Sequence, residues 1–160
     1  IFERKEFGKI YALEIDGFGN ALFMDDANVP NLLSIPYLGY TSYHDEVYKN
    51  TRKFSLSTAN PWFNEGKFAK GIGGPHVGEN KIWPLGLTMQ ALTTDDDEEI
   101  FYCLKTLKNT HSGTGFIHES FDVNNPKDFS RSWFAWANTL FGELILHLYE
   151  KKPEILKRKF

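Results

Sequence analysis

The stretch GTGFIHESF, residues 113–121, places two titratable side chains next to each other in an apolar setting. His118 and Glu119 follow two glycines that permit a tight turn. The flanking apolar residues, which favour burial and would draw the pair inward, are Phe116, Ile117 and Phe121. A carboxylate held in such a place is typical of a general acid or base. The alternative is a solvated surface loop, since Glu is rarely buried without a partner.

A second candidate cluster is the run MDDANVP, in which two adjacent carboxylates precede an amide. Asp25, Asp26 and Asn28 all suit the start of a helix, where Asp and Asn side chains accept backbone N–H groups. A single cap needs only one of the three. The others are therefore candidates for binding sugar hydroxyls or for a general acid, and the capping interpretation stays open beside these.

Two further polar residues occur in contexts that favour ligand binding. His76 lies in the glycine-rich turn KGIGGPHVG, which lacks the Gly-Lys-Ser/Thr ending of a phosphate-binding P-loop. Arg131 lies beside Trp133 and Trp136, and its planar fork can hold a carboxylate or sugar hydroxyls. The alternative for His76 is a loop histidine held by hydrogen bonds to the backbone. The alternative for Arg131 is an intrahelical salt bridge. Aromatic residues make up 16% of the chain, which suits either a large core or a sugar-binding cleft.

The remaining chemistry-bearing residues indicate neither a metal nor a cofactor. The five histidines show no HExxH spacing, and the single cysteine, Cys103, cannot build a structural zinc site. We expect Cys103 to be a small buried hydrophobe. No G-x-S-x-G motif is present, and Ser120 directly follows Glu119 without a visible triad order, so a serine hydrolase is not indicated.

The length and net charge of the chain limit the classes of partner that it is expected to bind. The 160 residues suffice for one domain with a real core, and the net charge of -3 gives no reason to expect nucleic acid or an acidic membrane surface. The basic residues of KKPEILKRKF fit a solvated chain end. No apolar run approaches the roughly 18 residues of a membrane span. One cysteine and no visible export signal point to the cytoplasm, with a secreted or periplasmic location left open.

The first half of the chain predicts a short hairpin, two helices and a long loop. The runs KIYALEID and ALFMDD flank the turn GFGN as hairpin strands would. A helix is expected after Asn28, with Pro30 in its first turn and an end at Pro36. A second is expected over about 45–58. Residues 59–82 hold five glycines and two prolines and fit neither period, which predicts a long loop.

The second half predicts three helices. One begins at Pro84, and a second, beginning DDDEE, is capped by Thr93 or Thr94. The third is RSWFAWANTLFGELILHLYE, whose apolar residues cover most of its circumference and predict burial on most sides. Helices in antiparallel pairs, joined by loops that alternate short and long, predict an all-α toroid or part of one. A compact helical bundle with one hairpin is the alternative.

Four long blocks of the chain resemble glycoside hydrolase family 125: DGFGNALFMDDANVPNLLSIPYLGY, KGIGGPH, NTHSGTGFIHESF and SRSWFAWANTLFGELIL. The resemblance covers most of the chain. It implies a metal-independent, inverting exo-α-1,6-mannosidase, without cofactors, that releases terminal mannose from α-mannosides such as N-glycan fragments. The implied fold is an (α/α)₆ barrel, of which residues 1–160 would be the C-terminal portion of one catalytic domain, with the N-terminal half as the expected partner.

The resemblance also assigns roles to the candidate residues. Glu119 matches the general base, and His118 is expected to position or polarise it. Asp25, Asp26, His76 and Arg131 are expected to bind the hydroxyls of the terminal mannose. The general acid of the family precedes the matching region, so one half of the catalytic pair is not expected here. The alternative function is therefore a non-catalytic carbohydrate-binding or structural helical fragment.

Overall fold

A computed structural model describes residues 1–159, and the chain begins with two antiparallel hairpins. In the first, β1 (Phe2–Arg4) pairs with β2 (Gly8–Ile10). In the second, β3 (Glu14–Ile15) pairs with β4 (Ala21–Leu22). The second confirms the predicted hairpin. Its turn is closed by Asp16, whose Oδ1 accepts the backbone N–H groups of Phe18 and Asn20 at 2.9 and 2.8 Å.

The helix predicted after Asn28 is absent, and residues 28–41 form successive turns instead. The reason is a carboxylate from outside the segment. Asp25 accepts the backbone N–H of Leu32 at 2.9 Å and that of Leu33 at 3.2 Å. Donors satisfied in this way by a side chain do not need the carbonyls of a preceding helical turn. Pro30 and the apolar residues behind it therefore gave a wrong helix prediction.

The helix predicted over 45–58 is confirmed as α1 (Glu46–Ser55). Asp45 precedes it and accepts the N–H of Tyr48 at 2.8 Å, as an N-cap residue should. The helix packs against β2 and binds the segment that follows this strand, since the Thr51 hydroxyl accepts the N–H of Tyr11 at 2.9 Å.

The loop predicted over residues 59–82 contains three short strands. β5 (Phe63–Glu65) pairs with β6 (Lys70–Ile72), and β7 (Lys81–Ile82) follows. Strands of two or three residues are too short to show an alternating pattern, which is why the sequence did not reveal them. Gly73 is needed where this segment passes β7, because a Cβ there would lie 2.1 Å from the carbonyl oxygen of Lys81.

Two helices form the centre of the molecule. α2 (Pro84–Leu92) begins at Pro84 as predicted, and its side chains Leu85, Leu87 and Met89 are fully buried. α3 (Asp97–Asn109) packs against it. The prediction that Thr93 or Thr94 caps α3 is wrong.

Asp96 is the residue that caps α3. Its Oδ1 accepts the N–H groups of Glu98 at 2.9 Å and Glu99 at 3.2 Å. Cys103 is fully buried in α3, which confirms its predicted role, and burial raises the pKa of its thiol.

The HESF motif leads into the middle strand of a three-stranded antiparallel sheet. β8 (Ser120–Asp122) pairs on one side with β7 and on the other with β9 (Phe129–Ser130). The register sets Ser120 opposite Ser130 and Phe121 opposite Phe129. This sheet positions the candidate base.

The last part of the chain is helical. α4 (Ala135–Lys151) begins four residues after Arg131, and α5 (Pro153–Leu156) follows. Contrary to the prediction, α4 buries a single stripe, and Leu146 and Tyr149 are 66% and 71% exposed. The chain end is also less solvated than predicted, since Ile155 is buried and Lys152 and Arg158 pair with acidic residues at the start of α3.

The described part of the chain is thus a mixed structure with short sheets, rather than all-α as predicted. It contains five helices and nine strands of two or three residues, and a cluster of buried apolar side chains joins α2, α3 and α4. Within residues 1–159, no helix is both long and apolar enough to cross a membrane.

Candidate active site

Glu119 lies directly before β8, at the point where this strand meets the end of β9. Its backbone N–H is shared between the carbonyl oxygens of Ser130 at 3.2 Å and Arg131 at 3.4 Å. Its side chain is only 14% exposed. Ile117 and Phe121 are buried beside this largely buried carboxylate, as the sequence predicted, whereas Phe116 is 49% exposed, contrary to the prediction.

Both oxygens of the Glu119 carboxylate are engaged by neighbouring residues. Nε of Arg131 lies 3.1 Å from Oε1, and the hydroxyl of Ser130 donates to Oε2 at 2.8 Å. The Ser130 hydroxyl is in turn 2.7 Å from that of Ser120. The contact with Ser130 is a charge-assisted hydrogen bond, which orients its acceptor well, and the contact with Arg131 is an ion pair. Ser130 was not among the predicted site residues.

An unusual backbone conformation lets two consecutive residues reach one carboxylate. Side chains of neighbouring strand residues normally point to opposite faces of a sheet. Arg131 has a φ of 44°, in the left-handed region that non-glycine residues seldom adopt. This turn at the end of β9 brings the Arg131 guanidinium to the same side as the Ser130 hydroxyl. Strained residues of this kind cluster at functional sites.

Arg131 remains accessible while it holds Glu119. Its side chain is 67% exposed, and its Nε lies 3.1 Å from the carboxylate. Its guanidinium carbon lies 5.7 Å from the centre of the Phe134 ring, within the range of a cation–π contact. Arg131 thus contacts both Glu119 and Phe134 while most of its side chain remains open to solvent.

His118 occupies a different environment from Glu119, although the two are adjacent in sequence. Its ring is buried, stacks on Phe129 with 3.8 Å between ring centres, and places Nε2 2.9 Å from the Thr114 hydroxyl. Burial and, to a smaller extent, the neighbouring His111 lower the pKa of His118, so the neutral imidazole is favoured. Its polar contact within residues 1–159 is with Thr114 and not with the carboxylate of Glu119. The structure gives it a packing role beneath the motif.

Asp25 is fully buried and cannot reach a substrate hydroxyl in this conformation. Burial raises the pKa of its carboxyl to about 7, and the bonds from the N–H groups of Leu32 and Leu33 oppose that shift. The Ser55 hydroxyl lies close enough to lower the pKa as well, although its geometry does not make a full hydrogen bond. Within this chain, the Asp25 carboxyl binds the turns that follow it.

Asp26 is half-buried and accepts the N–H of Asn28 at 2.8 Å. Asp26 lies against the glycine-rich turn, since a Cβ added to Gly74 would be 3.5 Å from the Cβ of Asp26. The adjacent Ala27 donates its N–H to the carbonyl of Gly73 at 2.8 Å, which joins the two segments. The structure therefore brings the MDD and KGIGGPH motifs together.

A row of rings connects His76 with the Glu119–Arg131 pair. The exposed His76 ring lies 6.3 Å from that of Trp83, which lies 6.2 Å from that of Phe134. Phe134 in turn lies beneath the Arg131 guanidinium. His76 is thus linked to Arg131 by packing through the rings of Trp83 and Phe134, and Asp26 lies against the turn that carries His76. Trp83 itself is buried and belongs to the hydrophobic core.

The candidate site combines the carboxylate of Glu119, held by Ser130 and Arg131, with the exposed Arg131 side chain. Within residues 1–159, no group of three or more His, Cys, Asp or Glu side chains could hold a metal ion. A carboxylate, a guanidinium and aromatic faces together define a candidate site of a glycoside hydrolase.

The comparison with known families identifies the class. The family model described as metal-independent alpha-mannosidase (GH125) matches residues 1–146, so the chain belongs to glycoside hydrolase family 125. This confirms the resemblance carried by the four sequence blocks.

Two relatives define the similarity further. The chain is 55% identical over 159 residues to the meiotically up-regulated gene 157 protein of Schizosaccharomyces pombe, covering 99% of this chain and 31% of that protein. It is 47% identical, with a TM-score of 0.90, to a metal-independent α-mannosidase of Streptococcus pneumoniae solved in a non-productive substrate complex with α-1,6-mannobiose. That match covers 94% of this chain and 35% of the other. The chain therefore spans about a third of the length of these relatives.

Proposed function

We propose that this chain is the C-terminal portion of an inverting exo-α-1,6-mannosidase that acts on α-mannosides such as N-glycan fragments. Family membership and the likeness to a structure solved with α-1,6-mannobiose support the substrate class. In this proposal residues 1–160 complete an (α/α)₆ catalytic domain in the cytoplasm, to which α1–α4 contribute helices.

The observation that carries the proposal is the pair of contacts that Arg131 and Ser130 make with the Glu119 carboxylate, here called the clamp. A general base must present a lone pair to water in one fixed direction. Arg131 and Ser130 hold one carboxylate oxygen each at 3.1 and 2.8 Å. Each carboxylate oxygen has two lone-pair sites, so the clamp leaves acceptor capacity on both.

The proposed reaction divides its work between two carboxyl groups. Glu119 accepts a proton from water as the water oxygen attacks C1 of the terminal mannose from the face opposite the leaving group. A carboxylic acid from the N-terminal half, which supplies the second catalytic group, protonates the departing glycosidic oxygen. A single displacement of this kind inverts the anomeric centre, and the two carboxyl groups are then roughly 6.5–9.5 Å apart.

The substrate side of the site is assigned to the exposed face beside Glu119. Arg131 binds hydroxyls of the terminal mannose through its terminal nitrogens. His76, in the glycine-rich turn, and Asp26, which lies against that turn, bind further hydroxyls. Asp25 and His118 support these segments from the interior, since both are buried.

The substitution Glu119→Gln in the full-length protein tests the assignment. Gln keeps the size of the side chain but is not a base, so kcat for an α-1,6-mannobioside should fall by 10²–10⁴-fold or more, with binding largely retained. Glu150→Gln, at an exposed position of α4, is the control. A loss below about tenfold would remove Glu119 from the role of base.

Two further measurements separate the proposal from its alternatives. Proton NMR of the first product should show β-mannose, and α-mannose would contradict inversion. Calorimetry with α-1,6-mannobiose distinguishes a non-catalytic carbohydrate-binding fragment. If the protein only binds carbohydrate, the full-length wild type and the full-length Glu119→Gln variant should both bind α-1,6-mannobiose without turnover.

A further inference from the structure

We infer that Ser130, supported by Ser120, is a positioning residue for the base of the proposed mannosidase reaction. This inference rests on the proposed function, because it concerns the carboxylate of Glu119. Neither serine was singled out for this role by its sequence context. The evidence is a chain of two hydroxyls that ends on that carboxylate.

The chain has a defined direction. An ionised carboxylate only accepts hydrogen bonds, so Ser130 must donate its hydroxyl proton to Oε2 of Glu119, at 2.8 Å. The Ser130 oxygen is then left as an acceptor for the Ser120 hydroxyl at 2.7 Å. Ser120 is fully buried, which keeps water from competing for this bond.

The backbone fixes this arrangement more firmly than it fixes Arg131. Ser120 and Ser130 are directly opposed in the β8–β9 register, and each has a single side-chain torsion that places its oxygen. Arg131 is long and 67% exposed, so holding its side chain in one geometry costs conformational entropy. Ser130 is therefore the part of the clamp that prevents the carboxylate from rotating, while the guanidinium supplies charge.

The competing explanation is a purely structural one, since opposed Ser or Thr residues stabilise strand pairs by themselves. The two explanations differ in what they predict for catalysis. A strand-pairing role affects unfolding, whereas a positioning role lowers kcat at an unchanged fold. The third partner of the chain, Glu119 Oε2, favours positioning.

The test is a set of substitutions in the full-length protein assayed on an α-1,6-mannobioside. Ser130→Ala should lower kcat by about ten- to a hundredfold with KM within about twofold, because the bond it removes goes to a charged acceptor. Ser130→Thr keeps the hydroxyl on Cβ and should restore kcat. Ser120→Ala should cost about two- to fivefold, since it acts through Ser130.

Controls separate loss of positioning from loss of fold. Ser57→Ala removes a hydroxyl that donates to the backbone carbonyl of Phe54, and kcat should not change. Urea midpoints show whether each variant is folded. If Ser130→Ala does not fold, Ser130→Cys serves instead, because a thiol is a weaker donor of similar size and should give an intermediate kcat.

The outcomes distinguish this inference from the proposed function. If Glu119→Gln abolishes turnover while Ser130→Ala or Ser130→Cys keeps wild-type kcat, only the positioning role is refuted. If Glu119→Gln leaves kcat unchanged, the assignment of the base is itself refuted. In the Glu119→Gln background, Ser130→Ala should cause no further loss, and an additive loss would contradict a role that acts through Glu119.

Discussion

Asp25 should make the stability of the protein fall as the pH rises from about 4 to 7. The carboxyl is fully buried, and its pKa in the folded state is raised from 3.8 to about 7. Between these two values the unfolded chain has lost the proton while the folded chain keeps it. The free energy of unfolding therefore decreases as the pH rises through this range. Above pH 7 the carboxyl is ionised in both states, and its contribution to stability no longer changes with pH.

The size of the effect follows from the shift in pKa. Each pH unit between the two pKa values is worth about 1.4 kcal/mol of unfolding free energy. Over the practical range from pH 4.5 to 8, the contribution of Asp25 should fall by about 3 kcal/mol. That is a large part of the stability of a typical domain.

The assay is urea unfolding followed by tryptophan fluorescence, for which the chain has four tryptophans. Wild type and Asp25→Asn are compared across this range, because the asparagine does not titrate. Its amide would face the N–H of Leu33, so the variant should be less stable at pH 4.5 by about 1–3 kcal/mol. The gap should close or reverse by pH 8.

The comparison uses a difference because His118 acts in the opposite direction. Its pKa is lowered in the folded state, so stability is lost as the pH falls from about 6.5, and this contribution cancels between the two proteins. Asp16→Asn is the matched control, since the exposed Asp16 has a lowered pKa and should not change the slope above pH 4.5. A wild-type-minus-variant difference that stays constant within about 0.5 kcal/mol from pH 4.5 to 8 would refute the reasoning.

The remaining predictions concern local packing and capping and are checked by the same unfolding assay. Gly73→Ala should destabilise by about 3 kcal/mol, because its Cβ would lie 2.1 Å from the backbone oxygen of Lys81. Gly142→Ala, at a helical position with nothing within 4 Å, should instead stabilise by about 1 kcal/mol. Asp96→Ala should cost about 1 kcal/mol through loss of the cap of α3. Equal effects at Gly73 and Gly142, or none at Asp96, would contradict these accounts.

Helices with strong local signals were predictable from the sequence. α2 begins at Pro84, where a missing N–H costs nothing, and α1 follows a capping aspartate. These signals lie within a few residues of the structure that they determine. The helix expected after Asn28 failed because the carboxylate of Asp25 takes two backbone donors from the segment, a contact that no local periodicity encodes.

The same distinction between local and distant information holds for the site. The apolar flanks of Glu119 and the basic character of Arg131 were visible in the sequence, and the structure joins them. Ser130 was missed because its contact with Glu119 depends on the register of β8 and β9, and these strands are too short to be predicted from the sequence. The neighbours Asp25 and Asp26 were treated alike, but the first is fully buried and the second is not.

The buried thiol of Cys103 makes the chain well suited to chemical labelling. The residue is the single cysteine of the sequence, it is fully buried, and the raised pKa of its thiol disfavours the reactive thiolate. A maleimide dye should therefore not react with Cys103 in the folded chain and should modify it only when α3 unfolds. One cysteine introduced beside His76 would then carry a fluorophore without background, next to the face where the mannoside is expected to arrive.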